Sequence, residues 1–338
     1  MNELHIRKPD DFHCHLRDGE MLDVVLPITA SQFARALVMP NLSPKILNLD
    51  DVRQYRERIV SRLNNSSFQP LMSLYVNDHT TPEMIREAYD GGKGAIAGKV
   101  YPKNMTTGSD EGVSDFKLLY PVFETMQEVG MLLLLHGEDP TQGIFCLNRE
   151  ESFLKTLLIL VADFPKLNIV FEHVSSAAAV CTIQELPQNV AATITVHHLL
   201  LTLDDVVGGG LEPHHFCKPI AKTPQDRDAL VSVALSGNPK FFFGSDSAPH
   251  PVQKKESVGG AAGVFTAPVA LPLLAELFEK HEKLSMLENF ISRFGAEFYR
   301  LPLATETVSL QKKEWAVPLL YGNVRPFKAG AILPWSVA

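Results

Sequence analysis

Short apolar runs alternate with amphipathic, helix-like stretches along most of the chain. Candidate strands end near Phe12, Met39, Val76, Val100, Leu135, Phe171, Val196 and Phe243. Most are continuous apolar runs, such as Met131 to Leu135, the pattern of parallel strands covered on both faces. Between them the periodicity predicts helices over Glu20–Ser31, Asp50–Leu63, Pro82–Asp90, Asp115–Val129, Glu150–Phe164, Ala177–Glu185 and Thr223–Leu235. Start signals support several of them; Thr81-Pro82-Glu83 places an N-cap before a proline at the first helical position.

About eight strands, each followed by a helix or a long loop, predict an α/β fold of the (β/α)8, or TIM-barrel, type. A doubly wound open sheet is the alternative, but no Gly-rich fingerprint follows the first strand. Beyond the last strand come an apolar helix near Ala267–Phe278, another near Met286–Phe294, and a short C-terminal extension rich in Pro and Gly. No linker or repeat divides the chain, so residues 1–338 are expected to form one domain.

Composition narrows the class. The net charge of −8 and the pI near 5.8 argue against a nucleic-acid or anionic-membrane partner, which needs clustered Lys and Arg. Cys14, Cys146, Cys181 and Cys217 form no CxxC pair and fit a reducing compartment. The N-terminal residues lack an apolar signal region, and no apolar run approaches the roughly 18 residues of a membrane helix. A soluble, cytoplasmic protein is expected.

The polar residues at the strand ends carry the chemistry. His13 and His15 lie two apart in an extended segment, so both can reach one metal ion. An HxH pair alone fits two solvated or core histidines as well. Later strands change its weight: one ends in His136-Gly137-Glu138, the next in Glu172-His173-Val174, and the last in Gly244-Ser245-Asp246. In a barrel these ends converge on one mouth, where such folds place their sites. The fourth strand supplies Lys99 inside Ala95-Ile96-Ala97-Gly98-Lys99-Val100. Burial disfavours an ammonium, and a neutral amine can attack carbon dioxide to give a carbamate able to bridge two metals. A salt-bridged lysine at the mouth fits the strand equally; the surrounding ligand set favours the carbamate.

His13-x-His15, the strand-four lysine, single histidines after strands five and six, and the strand-eight aspartate together resemble the binuclear amidohydrolases. Within that superfamily the chain resembles the shorter, monofunctional bacterial dihydroorotases. The likeness rests on Asp11-Phe12-His13-Cys14-His15-Leu16-Arg17-Asp18-Gly19, Met39-Pro40-Asn41-Leu42, Gly98-Lys99-Val100-Tyr101-Pro102, Glu172-His173-Val174-Ser175-Ser176 and Gly244-Ser245-Asp246-Ser247-Ala248-Pro249-His250-Pro251. It runs from about residue 5 to the tail Gly322-Asn323-Val324-Arg325-Pro326-Phe327.

The resemblance implies reversible closure of N-carbamoyl-L-aspartate to L-dihydroorotate and water, in pyrimidine (UMP) biosynthesis. It implies two zinc ions per subunit. One is held by His13, His15, carbamylated Lys99 (N6-carboxylysine) and Asp246; the other is held by the carbamate, His136 and His173, with a hydroxide between them. Asp246 is then the general acid and base. Arg17, Asn41 and His250 match the family's carboxylate-binding positions; read plainly, they are a surface salt-bridging Arg, a turn Asn and a surface His. Thr106 and Thr107 fall in a loop, Pro102 to Gly112, that resembles the family's closing lid. Ala262, in the glycine-containing run 257–263, and Lys218 match positions used through the backbone. Lys218 departs from the apolar residue many relatives carry, which leaves its side-chain packing open. A homodimer is implied by the family alone.

The remaining histidines (5, 79, 197, 198, 214, 215 and 281) carry no assigned role, although His197-His198 ends the seventh predicted strand and could support the site from behind. Two rivals remain. A hydantoinase- or allantoinase-like cyclic amidase would share the metal ligands but have less need of a carboxylate clamp. A non-catalytic amidohydrolase-like scaffold would be expected to have lost ligands, and none is missing here.

Overall fold

The computed structural model describes residues 2–64 and 66–338. Its centre is an eight-stranded parallel sheet in sequence order. The strands are β2 (Asp10–Cys14), β3 (Arg35–Val38), β4 (Gln69–Val76), β5 (Ala95–Val100), β6 (Leu132–His136), β7 (Ile169–Glu172), β8 (Val190–Ile194) and β9 (Phe241–Phe243), preceded by β1 (Glu3–Arg7) outside this sheet. Helices occupy the connections, among them Gly19–Gln32, Leu49–Val60, Pro82–Tyr89, Arg149–Asp163, Ala177–Glu185 and Pro224–Leu235. The predicted (β/α)8 barrel is therefore observed.

The barrel closes where β2 meets the segment after β9. Cys14 and Ser247 form a parallel bridge. Asp246 N donates to His13 O at 2.8 Å and His15 N to Ser247 O at 3.1 Å. Buried Asp11 tightens this seam, accepting from Ser245 N (2.8 Å) and Ser245 Oγ (2.5 Å). The apolar strand runs divide by alternation. Phe12, Leu37, Leu134, Val170 and Phe242 fill the barrel interior. Leu133, Leu135 and Phe171 face the outer helices.

Below the interior layer sits a plug. The segment predicted as one helix near Met286–Phe294 is broken into a 3-10 turn, a π turn at Asn289–Arg293 and an α-helix at Phe294–Phe298. The break tucks Tyr299 under the barrel, where its ring stacks on Phe12 at 4.5 Å. Gly295 allows that approach, since a Cβ there would lie 2.3 Å from Phe12 Cε2.

Three further differences from the sequence reading have local causes. The helix expected over Asp115–Val129 begins as a 3-10 turn and becomes α-helical only at Tyr120, because Pro121 suits a first turn but lacks the N–H of a helix interior. The strand expected to reach Val196 stops at Ile194. Thr195 then caps a helix, Val196–Leu200, its hydroxyl accepting from His198 N, so His197 and His198 are helical rather than strand-terminal. Finally, the C-terminal extension is ordered: β10 (Thr307–Gln311) pairs antiparallel with β1 and with β13 (Ser336–Val337), and β11 (Trp315–Ala316) pairs with β12 (Ile332–Leu333). Among the described residues no helix is long and apolar enough to cross a membrane.

Candidate active site

The C-terminal ends of the barrel strands surround a small cavity. All the residues singled out in the sequence line it except Lys99, which lies deeper in β5, and His250, which stands behind Arg17. One end of the cavity is a cluster of imidazoles and carboxylates; the other carries Arg17, Asn41, Thr106, Thr107 and Ala262.

Alternation along β2 sends His13 and His15 the same way, their rings 5.3 Å apart. Asp246, just beyond β9, reaches both, with Oδ1 3.0 Å from His15 Nε2 and 3.4 Å from His13 Nε2. Ligand atoms of these three lie within 4.8 Å of one another, a spacing suited to one cation. His136 and His173 form the second group, Nδ1 of one facing Nε2 of the other at 3.1 Å. Backbones at Arg17 (φ 60), His173 (φ 43) and Asp246 (φ 41) are left-handed. Such conformations are costly for these residues and persist where surrounding contacts fix them.

Lys99 lies among these groups, fully buried, with no hydrogen-bond partner for Nζ among the described residues. Its Nζ lies 5.2 Å from the centroid of the Tyr101 ring. Burial lowers its amine to about 8, against the raising pull of Glu172 and Asp246. His173 Nδ1 and Glu172 Oε1 are also buried and unpartnered. A cluster of histidines, carboxylates and an orphaned amine is unsatisfied as it stands, and it fits divalent cations that would use those lone pairs. Burial lowers His13, His15 and His173, so all three favour the neutral, ligating form. Burial raises the Asp246 carboxyl, against the pull of His13 and Lys99.

Two carboxylates that the sequence reading did not single out orient these histidines. Glu172 Oε2 lies 2.7 Å from His13 Nδ1 and accepts from Thr193 Oγ1 at 2.6 Å. Burial would raise its carboxyl, but its contact with His13 and the nearby Lys99 outweigh that and hold it low. Glu138 Oε2 lies 2.8 Å from His136 Nε2 and is held low by that contact against its burial. The available signal was their position next to, or two residues from, a histidine.

His197, His198 and Cys217 form a second buried trio at metal-like spacing. His198 Nδ1 already meets Thr195 Oγ1 at 2.8 Å, and its Nε2 donates to Pro219 O at 2.9 Å. With both nitrogens engaged, His198 pins the Lys218-Pro219 segment to its helix. Lys218 itself is half-buried and lines the cavity.

At the other end, half-buried Arg17 donates from Nε to Pro249 O (3.0 Å) and lies 3.0 Å from His250 Nε2 through Nη2. No carboxylate pairs with its guanidinium among the described residues. His250 Nε2 is also 3.0 Å from Ala262 O. Burial and Arg17 push this imidazole down to about 2, so it stays neutral, and one nitrogen cannot serve both neighbours. Asn41 donates to Thr107 O at 2.9 Å while its Oδ1 is buried and unpartnered. The Pro102–Gly112 loop closes over the cavity. Tyr75 OH donates to Gly108 O (3.0 Å), Thr107 Oγ1 reaches Ala262 O (3.4 Å), and Lys45 pairs with Asp110 and Glu111 at 3.2 Å each. The arrangement can hold cations at one end and a small anion at the other.

No protein-family model matches the chain. A curated dihydroorotase of Vibrio cholerae is 47% identical over 342 residues, covering 100% of both chains. The solved dihydroorotase of Saccharomyces cerevisiae in complex with 5-fluoroorotic acid is 40% identical, with a TM-score of 0.93 over 100% of this chain and 99% of that one. An L-hydantoinase of Arthrobacter aurescens, 17% identical with a TM-score of 0.81, shares the fold.

Proposed function

Since the chain belongs to the dihydroorotase family, and is thus a hydrolase of a cyclic amide C–N bond, we propose that it interconverts N-carbamoyl-L-aspartate and L-dihydroorotate in pyrimidine biosynthesis with two zinc ions per subunit. The observation that carries this reading is the pairing, in one cavity, of a cation-suited cluster with the Arg17 guanidinium, which meets no carboxylate among the described residues.

His13, His15, Asp246 and carbamylated Lys99 would hold one metal, and the carbamate, His136 and His173 the other. Such metals, once bound, supply Lewis acidity and bring the pKa of water from 15.7 to about 7. The chain's residues do the rest. Lys99, as its neutral amine, adds to carbon dioxide and releases a proton, leaving a carbamate with two ligating oxygens. Asp246 takes a proton in the hydrolytic direction and returns it to the ring nitrogen as the C–N bond breaks; in cyclisation it works in reverse.

Arg17 and Asn41 grip the substrate's carboxylate, with His250 beside them; a planar guanidinium suits that group. Thr106 and Thr107 close over the ligand and exclude water, while Ala262 and Lys218 contact it through the backbone. The enzyme acts as one domain, as a cytoplasmic homodimer, on a small-molecule substrate and on neither nucleic acid nor membrane.

Purified protein with metal analysis tests the reading. Ring opening of dihydroorotate together with two metals per chain is expected, and Lys99→Ala is expected to lose both. Zinc-loaded protein that hydrolyses hydantoins but not dihydroorotate would overturn the substrate; full activity in Lys99→Ala would overturn the carbamate.

A further inference from the structure

Lys255 is a buried lysine that no step of the reaction uses. It is 3% exposed, and no acidic side chain pairs with it among the described residues. Its ammonium donates instead to three backbone carbonyls: Phe216 O at 2.9 Å, Ala261 O at 2.8 Å and Gly263 O at 2.7 Å. An ammonium has three donors and no acceptor, so its hydrogen bonding is complete. Burying a charge is costly, and this one is compensated only by those dipoles. Its amine, lowered to about 8 by burial against the pull of Cys217, still carries its proton at neutral pH.

The three carbonyls belong to two loops that meet at the cavity. Phe216 stands two residues before Lys218, and Ala261 and Gly263 flank Ala262. Gly263 N also donates to Phe216 O at 2.9 Å, joining the loops a second time. Gly263 itself has φ +145, and a Cβ there would lie 2.5 Å from Ala248 O, so the loop has little room to shift.

The peptide plane decides what this grip does. A trans peptide directs its C=O and the following N–H in opposite directions. With Ala261 O fixed on Lys255, the Ala262 N–H must point away from it. Ala262 lines the cavity, and its N–H has no acceptor among the described residues, although its neighbours Ala261 N and Gly263 N both have one. On the other side of Ala262, the carbonyl meets His250 Nε2 at 3.0 Å and Thr107 Oγ1 at 3.4 Å. The Ala261 carbonyl bond on one side and the Thr107 contact on the other thus hold the segment around the Ala262 N–H, which is left a free donor among the described residues.

We propose that Lys255 is a positioning residue for substrate: it sets the Ala261–Ala262 peptide so that the Ala262 N–H is presented to the substrate's carboxylate beside Arg17. This rests on the dihydroorotase reading. It accounts for a lysine where a neutral residue would be cheaper to bury. It also predicts that arginine cannot substitute, because a planar guanidinium does not match three converging carbonyls.

The test uses zinc-loaded protein. K255M and K255Q are compared with wild type and with K254M, the exposed neighbouring lysine as control. K255M is expected to raise KM for dihydroorotate about tenfold, the worth of one hydrogen bond to a charged group, with kcat and metal content little changed. K255Q, keeping an amide donor, should fall between, and K254M should match wild type. In K255A, added ethylammonium should bring KM back down, a rescue that general loosening of the fold would not show. If K255M proves too unstable to assay, K255A with and without ethylammonium decides. Unchanged KM in K255M, or no ethylammonium effect in K255A, overturns the role of Lys255. A wild-type protein inactive on dihydroorotate overturns the family-based reading instead.

Discussion

Neutral imidazoles held by carboxylates recur through the site, and the pairing of His13 with Glu172 has the shortest reach. A carboxylate behind a metal-binding histidine fixes its tautomer and raises its basicity, and losing such a partner costs about 10- to 100-fold in metal affinity. Glu172→Gln keeps an acceptor but removes the charge. Chelator competition should show a loss in that range, and unaltered affinity would reduce Glu172 to a buried acceptor. Lys99 gives a pH prediction. Its amine is lowered from 10.5 to about 8 by burial, so the reactive neutral form grows as pH rises towards 8. At fixed dissolved carbon dioxide, carbamate uptake by metal-free protein should quicken about tenfold per pH unit below 8 and level off above it. Uptake that ignores pH over this range would contradict the buried-amine account. At this scale the sequence was uneven. His13 and His15 were legible because residues two apart on a strand face one side. Glu172 was not, since neighbours on a strand face opposite sides. The left-handed turn at His173 breaks that alternation and brings both residues to the mouth.

Elements explain which substitutions the frame tolerates. Gly295→Ala would drive a Cβ to 2.3 Å from Phe12 Cε2, beneath the strand that bears His13. Overpacking of this kind costs about 1–3 kcal/mol, read as a lowered thermal midpoint; an unchanged midpoint would mean the plug can shift freely. The lid gives a gentler case. Lys45 ties it down through Asp110 and Glu111, both carboxylates being largely exposed. Exposed pairs are worth about 0–1 kcal/mol, so Lys45→Ala should raise KM less than about fivefold, with the difference fading in high salt. Continuous apolar runs and capping residues made the barrel strands and most helices readable. The helix at Val196–Leu200 escaped because a five-residue helix offers too few turns to show a period. The β1–β10 pair escaped because its partners, Glu3 and Gln311 among them, lie at opposite ends of the chain.

For the whole molecule, cations held by the proposed cluster would also be a source of stability. Anything bound only by the folded form stabilises it by about 2.7 kcal/mol at a hundredfold excess over Kd. Stripping metals with a chelator should therefore lower the thermal midpoint, and restoring zinc with bicarbonate should raise it again. A midpoint indifferent to chelation would count against the two-metal reading. The barrel was foreseeable from the regular recurrence of apolar runs, whereas its closure was not, because Asp11, Ser245 and Asp246 join across the seam through side chains and single backbone bonds. That seam has a temporal meaning. His13 and His15 are near the start of synthesis, while Asp246 is made only after all eight barrel strands, just beyond the last of them. A nascent or truncated chain therefore presents two histidines but no complete cradle, and cannot capture a cation with the native set. If the cluster takes metals as proposed, their loading waits for a finished barrel, and the segment after the last strand is what completes the cradle.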